Sequence, residues 1–439
     1  MKKIILYTIA ISSFLVSCSV DDWLTVQPED TLSKDEMFES KQGFYDALYG
    51  IYTKTRNNYN HNGFLMSDFI EHLTSQWEFE TGTPIEDIAN HEYGLLDGQL
   101  SSIFRSQYES IANINVMLEY LETQDFLSNT DYSLLKAECL GLRAWLHFDL
   151  LRLWGPTPAR VNATKKYLPY VTVLGYERTL PVTYNEFVTV MLKDIDAAET
   201  IFQDVPTYTR YRLGKWGVLG LQARINLWLG NKEKALNYVE SILEFIESDE
   251  EETFKLGNLD NIGIKDYRFV KEHLFGINVN FESVLFRNSL YKTTEHLNEL
   301  YEYSGSDIRL ELWEDRNVNG LNEPAKNPLK YTGTEEGSVS VVRLSEIYLI
   351  GMECADLERA NQLYQKFSQA RGIAFVEITS SNQLSEILQK EYRKEFIGEG
   401  VLFQFYKRTD VTRMPGTTKI CNDDCYVLPL PRKEINVNG

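Results

Sequence analysis

The sequence predicts a mostly α-helical fold, in which packed helix pairs form a scaffold that carries two irregular, loop-rich regions. The first observation is the stretch 134–158, LLKAECLGLRAWLHFDLLRLWGPTP, where apolar residues recur at steps of three and four in two neighbouring stripes. The second is a pair of helical patterns within 213–243, which meet at Gly230. The third is the loss of periodicity in 57–97 and 257–337, where Asn and Gly are frequent. A helix that is apolar on most sides needs cover from several neighbours, so the first stretch is expected at the centre of the scaffold.

The N-terminus carries the pattern of an export signal. Two lysines precede an apolar run, 4–16, which is shorter than the roughly 20 residues that a membrane span needs. Leu-Val-Ser-Cys follows and resembles a bacterial lipobox, whose cysteine, here Cys18, receives the lipid. We therefore predict a lipoprotein signal peptide at 1–17 and a lipidated tether at 18–32, anchored by acyl chains such as palmitate. An ordinary secretory signal with a chance cysteine is the alternative.

Residues 33–439 are predicted to form one domain, with helices in three parts and an irregular C-terminal segment, 398–439. The helical parts are approximately 33–56, 98–247 and 341–397. Three residue pairs typical of helix starts support them: Ser33 with Glu36, Thr183 with Glu186, and Ser380 with Gln383. Gly155, which two prolines follow closely, is expected to end the central helix in a left-handed conformation.

The helix pairs resemble tetratricopeptide units. The hairpin within 213–243 has small residues for close packing, and a second hairpin follows at 342–371. Hairpins of this kind stack because each covers the apolar face of the next. The predicted fold is therefore a superhelical scaffold of tetratricopeptide-like helix pairs. The loop-rich regions 57–97 and 257–337 are expected to form the ligand-binding surface on it.

The composition excludes some partners and favours others. Without Lys2 and Lys3 of the leader the net charge falls from −20 to −22, so nucleic acid and anionic lipid headgroups are expected to be repelled. Aromatic residues make up 13% of the chain, more than core packing alone usually requires. Flat rings stack on the C–H faces of sugars while polar side chains bind the hydroxyl groups, so an aromatic surface favours a glycan.

Five residues in the loop-rich regions are candidates for ligand contact. They are Trp77, Tyr301, Tyr303, Arg309 and Trp313. For any single ring, packing in the core is the favoured alternative. The pair of regions is therefore a firmer prediction than any residue within them.

The sequence lacks catalytic and metal-binding templates. It contains none of the patterns GxSxG, HExxH, GxxxxGKS/T and GxGxxG, and its six histidines show no spacing typical of metal ligands. We therefore predict no enzyme activity, no cofactor and no metal site. The stretch 315–320, DRNVNG, imitates the start of a calcium loop, but Lys326 stands where a bidentate glutamate belongs, so a tight turn is favoured.

The cysteines near the C-terminus leave two alternatives open. Cys421 and Cys425 lie in a loop of a chain predicted to be exported, where a small disulfide can form, and two free thiols are the equal alternative. Cys139 and Cys354 lie on apolar helix faces and are expected to be thiols of the core.

Several motifs resemble the SusD/RagB family of nutrient-binding lipoproteins from Bacteroidetes-type bacteria. Residues 142–158, 391–408 and 426–438 resemble its patterns LRA-x-x-YF-x-L-x-R-x-YG-x-x-P, ERR-x-E-x-x-x-EG-x-R-x-FD-x-x-R and Y-x-LPIP-x-x-E-I-x-x-NP, with departures in the second. The matches run from Cys18 to the C-terminus in the family's order. Their order is more specific than any one motif.

The resemblance implies a location and a function. It implies a non-catalytic protein of the cell outer membrane, anchored through lipid on Cys18 and facing the outside. Asp21 and Asp22 resemble the acidic signal that sends such lipoproteins to the surface, with a merely solvated tether as the alternative. Such a protein captures a nutrient, most often a glycan, and sits as a lid on a SusC-like TonB-dependent transporter, with its helical scaffold facing that transporter. A lid for peptides and a scaffold that binds only protein are the alternatives.

Overall fold

The computed structural model describes residues 33–434 with several gaps. The gaps are 60–65, 75, 80–83, 176, 206–208, 258–259, 262–263, 279–289, 319, 322, 331–337, 416, 418 and 433. The predicted leader, 1–17, and the predicted tether, 18–32, with Cys18, lie outside the described residues.

Helices dominate the described residues. The α-helices are α1 Lys34–Met37, α2 Lys41–Tyr59, α3 Met66–His72, α4 Pro84–Ala89, α5 Asp97–Thr123, α6 Asn129–Trp154, α7 Tyr184–Asp204, α8 Lys215–Trp228, α9 Lys232–Ser248, α10 Thr294–Leu300, α11 Leu344–Cys354, α12 Leu357–Arg371, α13 Ser381–Glu395, α14 Val401–Arg408 and α15 Asp423–Tyr426. None of these helices has both the length and the apolar character that crossing a bilayer requires.

The strands are short and pair antiparallel in twos: β1 with β7, β2 with β3, β4 with β5, β6 with β10, and β8 with β9. They are β1 Glu78–Phe79, β2 Lys166–Leu168, β3 Val182–Thr183, β4 Asp260–Asn261, β5 Ile264–Lys265, β6 His273–Asn278, β7 Leu290–Tyr291, β8 Trp313–Arg316, β9 Ala325–Pro328 and β10 Ser338–Arg343. The β1–β7 pair joins the two predicted loop-rich regions.

Helix α6 lies at the centre, as predicted. The Oγ atom of Ser128 accepts a hydrogen bond from the amide of Asp131 at 3.1 Å and so caps its first turn. Every residue from Ala137 to Leu151 is buried. Helices α5 and α7 pack along α6, and α2 and α8 also contact it. The sequence of α6 has no polar face because neighbouring helices cover the helix on several sides.

The end of α6 differs from the prediction. Gly155 has φ and ψ of −80° and 172°, which is extended rather than left-handed backbone. A Cβ atom at this position would lie 2.4 Å from the carbonyl oxygen of Leu151. Close approach to the preceding turn, and not a positive φ, therefore favours glycine here.

The predicted helix starts are confirmed, with one interruption. Capping boxes form at Ser33 and at Thr183, and the Ser380 side chain caps α13. However, the first helix ends at Met37 and a new one begins at Lys41, because the chain turns between them.

Stacked hairpins confirm the tetratricopeptide-like scaffold. Helices α8 and α9 form the predicted pair around Gly230, whose φ is +79°. Helices α11 and α12 form the second pair, and α9 packs against α11. The small residues of α8 face strands rather than another helix, since a Cβ on Gly217 would lie 2.9 Å from Phe275 and one on Gly220 would lie 3.0 Å from Val342.

The tight turn predicted at Asn319-Gly320 lies between β8 and β9, and position 319 is outside the described residues; beside it, the amide of Leu321 donates to the carbonyl of Val318 at 3.2 Å. Asp315 lies opposite Lys326 in the strand register, and the two side chains form an ion pair. Gly320 has a φ of +91°, which glycine adopts readily. Lys326, which stands where a calcium loop has a glutamate, is therefore already paired with the Asp315 carboxylate that a Ca²⁺ ion would require.

Candidate functional site

The structure brings the two loop-rich regions together at the predicted tryptophans. The ring centroids of Trp77 and Trp313 lie 5.8 Å apart, at an interplanar angle of 38°. Both indoles are buried and donate hydrogen bonds inside the protein, that of Trp77 to Glu71 at 3.0 Å and that of Trp313 to the hydroxyl of Tyr301 at 3.2 Å. The ammonium of Lys292 lies 4.7 Å from the centroid of the Trp77 ring. These contacts correspond to the core-packing alternative, and ligand contact stays a prediction for the three aromatic residues.

Arg309 is fully buried among carboxylates. Its guanidinium donates to Asp307 at 2.7 and 2.9 Å and to Glu395 at 3.0 Å, and it pairs with Glu391 at 2.8 Å. These residues belong to what we call the buried ionic network. Its members are Glu272, Asp307, Arg309, Lys330, Arg343, Arg371, Glu391, Lys394, Glu395 and Glu399. The network fastens the second loop-rich region to helices α12 and α13, so Arg309 already has a structural role.

Two carboxylates of the network, Glu395 and Glu399, have lowered pKa values. Burial alone would raise the pKa of Glu395, but Arg371 and Arg343 outweigh burial and hold it well below the ordinary value of 4.5. For Glu399, burial is likewise outweighed by Arg343 and Lys330, and the pKa is lowered. The five acidic and five basic members balance one another in formal charge within the network.

Tyr303 alone among the five candidates lies at the surface. Its side chain is 73% exposed and its φ is +57°, in the turn that follows α10. The ring is open to solvent, so it needs no rearrangement to meet a ligand. Ligand contact stays a prediction for this residue too.

A cavity of about 510 Å³ opens beside α5 and the segment that joins α6 to α7. Pockets for small organic ligands are typically about 300–1,000 Å³. One wall is a face of α5, because its members recur at helical spacing from Asp97 to Ala112. The other walls lie between Tyr167 and Pro181 and between Leu430 and Glu434.

The cavity combines aromatic walls with a charged rim. Phe104, Tyr108 and Tyr167 supply the rings. The hydroxyl of Tyr108 donates to the carbonyl of Pro169 at 3.0 Å, which fixes this ring against the opposite wall. Carboxylates outnumber guanidinium groups in the lining: Asp97, Glu109, Glu177 and Glu434 against Arg105 and Arg178. A neutral, hydroxyl-rich molecule with an apolar face suits these walls.

Sequence reasoning missed this cavity because its walls come from three separate parts of the chain. One signal was present in the connection between α6 and α7, residues 155–183, which has no helical period and contains four prolines. A connection longer than about 12–15 residues is often functional. Val173 and Leu174 in it are 67% and 48% exposed and line the cavity.

In this structure Cys421 and Cys425 are buried free thiols, Cys421 just before α15 and Cys425 within it. A disulfide between them and a pair of free thiols both stay predictions. Cys139 is a buried thiol of α6, and Cys354 is a partly buried thiol at the end of α11.

Residues 22–227 match the model of a SusD-like family with the description "Starch-binding associating with outer membrane". SusD-like protein P25 of Formosa agariphila is 22% identical over 246 residues, which are 54% of this chain and 45% of that protein. SusD-like protein P38 of the same organism is 24% identical over 253 residues, which are 55% of this chain and 46% of that protein. The chain therefore spans about half the length of these relatives.

Solved structures show the same fold. A SusD superfamily protein from Bacteroides thetaiotaomicron is 16% identical with a TM-score of 0.73, over 90% of this chain and 98% of that one. A SusD-like carbohydrate binding protein from Bacteroides vulgatus is 16% identical with a TM-score of 0.71, over 91% of this chain and 96% of that one. These findings confirm the resemblance to the SusD/RagB family and the predicted fold class.

Proposed function

Because this chain is SusD-like in sequence over residues 22–227 and in fold over 90% of its length, we propose that it is a non-catalytic outer-membrane lipoprotein that captures a carbohydrate. The description of the matching family as starch-binding and associated with the outer membrane supports both parts of the proposal. The captured glycan then passes to a SusC-like TonB-dependent transporter, on which this protein sits as a lid, facing the outside of the cell. The lipid on Cys18 keeps the two proteins in one membrane.

We place the glycan-binding site in the aromatic cavity beside α5. The family match spans two of its walls, the α5 face and the segment between Tyr167 and Pro181. A sugar ring stacks its C–H face on Tyr167, while its hydroxyl groups bind Glu177 and Arg178 at the rim. Since carboxylates are in excess there, the cavity selects neutral over acidic sugars.

We expect Tyr167→Ala to weaken the binding of a neutral glycan several-fold. A stacked ring contributes on the order of 1 kcal/mol beyond the burial of its area, which corresponds to about a fivefold change in Kd. Calorimetry of the detergent-solubilised mature lipoprotein with starch oligosaccharides, acidic glycans and peptides measures the affinities. Neutral glycans are expected to bind most tightly.

Two further variants make this measurement decisive. Tyr49→Ala removes a ring that is 48% exposed on α2 and does not line the cavity, so it should leave affinity unchanged. A loss in Tyr303→Ala without a loss in Tyr167→Ala would move the site to the second loop-rich region. Binding of peptides alone would favour the peptide lid, and no binding of any small ligand would favour the protein-only scaffold.

We expect Cys18→Ser to abolish lipidation and to release the protein from the outer-membrane fraction. Acyl chains contribute about 0.8 kcal/mol per buried methylene, so the anchor depends on them. Metabolic labelling with an alkynyl fatty acid, followed by fractionation, measures both effects. The control Cys354→Ser, which alters a partly buried thiol of α11, should label like the wild type. Labelling that persists in the Cys18→Ser chain would contradict the lipobox.

A further inference from the structure

Three side chains with metal-ligand chemistry meet beside α15. His91, Cys421 and Cys425 each place one ligand atom within 4.8 Å of the other two. Their side chains are buried, with residue exposures of 6%, 1% and 0%. Imidazole nitrogen and thiolate sulfur are the ligands that zinc prefers in proteins. Sequence spacing did not reveal this cluster, because the histidine lies far from the cysteines along the chain.

The orientation of His91 leaves one ring nitrogen free for a ligand. Nε2 lies 2.9 Å from the carbonyl oxygen of Leu73, an acceptor, so Nε2 carries the proton and donates. Nδ1 is then an unprotonated acceptor, and it is buried with no hydrogen-bond partner among the described residues. Histidines that bind metals commonly donate their second ring N–H to a carbonyl in this way, which fixes the tautomer and the ring. A bound cation would satisfy the orphaned lone pair.

Main-chain hydrogen bonds hold the two cysteines in place. The amide of Cys421 donates to the carbonyl of Thr412 at 2.8 Å, and the amide of Cys425 donates to the carbonyl of Asn422 at 3.1 Å. The hydroxyl of Tyr93 donates to the carbonyl of Cys425 at 2.7 Å, which ties this loop to the segment that follows His91. The cluster is therefore built on fixed backbone, and not on mobile surface side chains.

We propose that His91, Cys421 and Cys425 bind one Zn²⁺ ion. Ligand atoms around a tetrahedral zinc lie roughly 3.3–3.8 Å apart, given bonds of about 2.3 Å to sulfur and about 2.0 Å to nitrogen. The observed separations need to shrink by no more than about 1.5 Å to reach these values. Each thiol releases its proton to solvent on binding, and the two thiolates neutralise the charge of the ion in this buried place. A water molecule completes the tetrahedron, as in other three-ligand zinc sites.

The ion would fasten the C-terminal loop to the start of the cavity wall. His91 precedes α5 by a few residues, and Asp97 at the start of α5 lines the cavity. The amide of Arg432 also donates to Asp97, at 3.0 Å, so the C-terminal segment meets this wall twice. Zinc at the cluster would reinforce the same junction.

The test measures zinc on the detergent-solubilised mature lipoprotein after reduction, removal of metals with a chelator, and dialysis against Zn²⁺. Elemental mass spectrometry should find one zinc per chain. Co²⁺ in place of Zn²⁺ should give the near-ultraviolet charge-transfer band of a thiolate–cobalt bond, which reports on the wild-type chain without any variant. The double variant Cys421→Ser with Cys425→Ser should lose the band and lower the affinity for Zn²⁺ at least about a hundredfold.

The matched control is Cys354→Ser, a thiol outside the cluster, which should keep both the band and the zinc. Near-ultraviolet circular dichroism checks that the variants fold. Equal zinc content in the wild type and the double variant would overturn the proposal. So would a Cys421–Cys425 disulfide in the protein isolated from cells, if the reduced chain then binds no zinc.

Discussion

Replacement of Arg343 by Met is expected to lower the free energy of unfolding by about 3–5 kcal/mol. The guanidinium of Arg343 contacts Glu272 at 2.9 Å, Glu395 at 2.6 Å and Glu399 at 2.8 Å, and the side chain is fully buried. Methionine keeps the apolar stem but leaves these carboxylates short of a cation in a dry interior. Urea denaturation followed by circular dichroism measures the loss.

The control for this variant is an ion pair at the surface. Lys366 pairs with Glu247, and both side chains are about half exposed. Solvent-exposed pairs contribute about 0–1 kcal/mol, so Lys366→Met should change stability little. A similar, small loss in both variants would show that the network is not dry and that its charges are screened by water.

The pH dependence of the same variant gives a second readout. The folded-state pKa values of Glu395 and Glu399 lie below the ordinary 4.5, so their ionised forms contribute stability that is complete above pH 4.5. This stability is lost as the pH falls through the lowered values. Without Arg343 the two pKa values rise toward 4.5, so we expect Arg343→Met to lose less stability on acidification than the wild type, with the loss complete at a higher pH.

The network also shows where prediction from the sequence ends. Local signals gave the helix starts, because a cap such as Thr183 with Glu186 depends on residues three apart. The burial of Arg309 could not be predicted from a local signal, because its partner Glu395 lies 86 positions away along the chain. A charged residue in a loop-rich region looks identical in sequence whether it faces solvent, a ligand or a buried carboxylate.

The aromatic residues show a similar division. The two loop-rich regions were predicted to form one surface, and the contact between Trp77 and Trp313 agrees with this prediction. Composition could not indicate, however, which aromatic residues would remain accessible to a ligand. The cavity is instead walled by α5, whose residues from Asp97 to Ala112 show an ordinary helical pattern in the sequence. A groove exists only where separate elements leave space between them, and no local pattern encodes that space.

Trp145→Ala in the central helix is the second change with a large expected effect, a loss of about 3–5 kcal/mol in the free energy of unfolding. The Trp145 side chain is buried, and its ring meets Phe275 of β6 edge to face, with centroids 5.3 Å apart at 86°. Alanine removes the transfer free energy of the indole and leaves a cavity between α6 and β6. Fixed neighbours on several sides of α6 limit the collapse that would fill it.

Two comparisons separate this packing effect from a general effect of substitution. Trp145→Phe keeps an aromatic edge for Phe275 and should lose clearly less stability than Trp145→Ala. Phe126→Ala removes a ring that is 48% exposed just beyond α5, and it should cost within about 1 kcal/mol. Urea denaturation of the three variants measures the order of stability. If Trp145→Ala proved as mild as Phe126→Ala, then α6 could not be the enclosed helix that its two apolar stripes predict, because only a site open to water or free to collapse tolerates the loss of an indole.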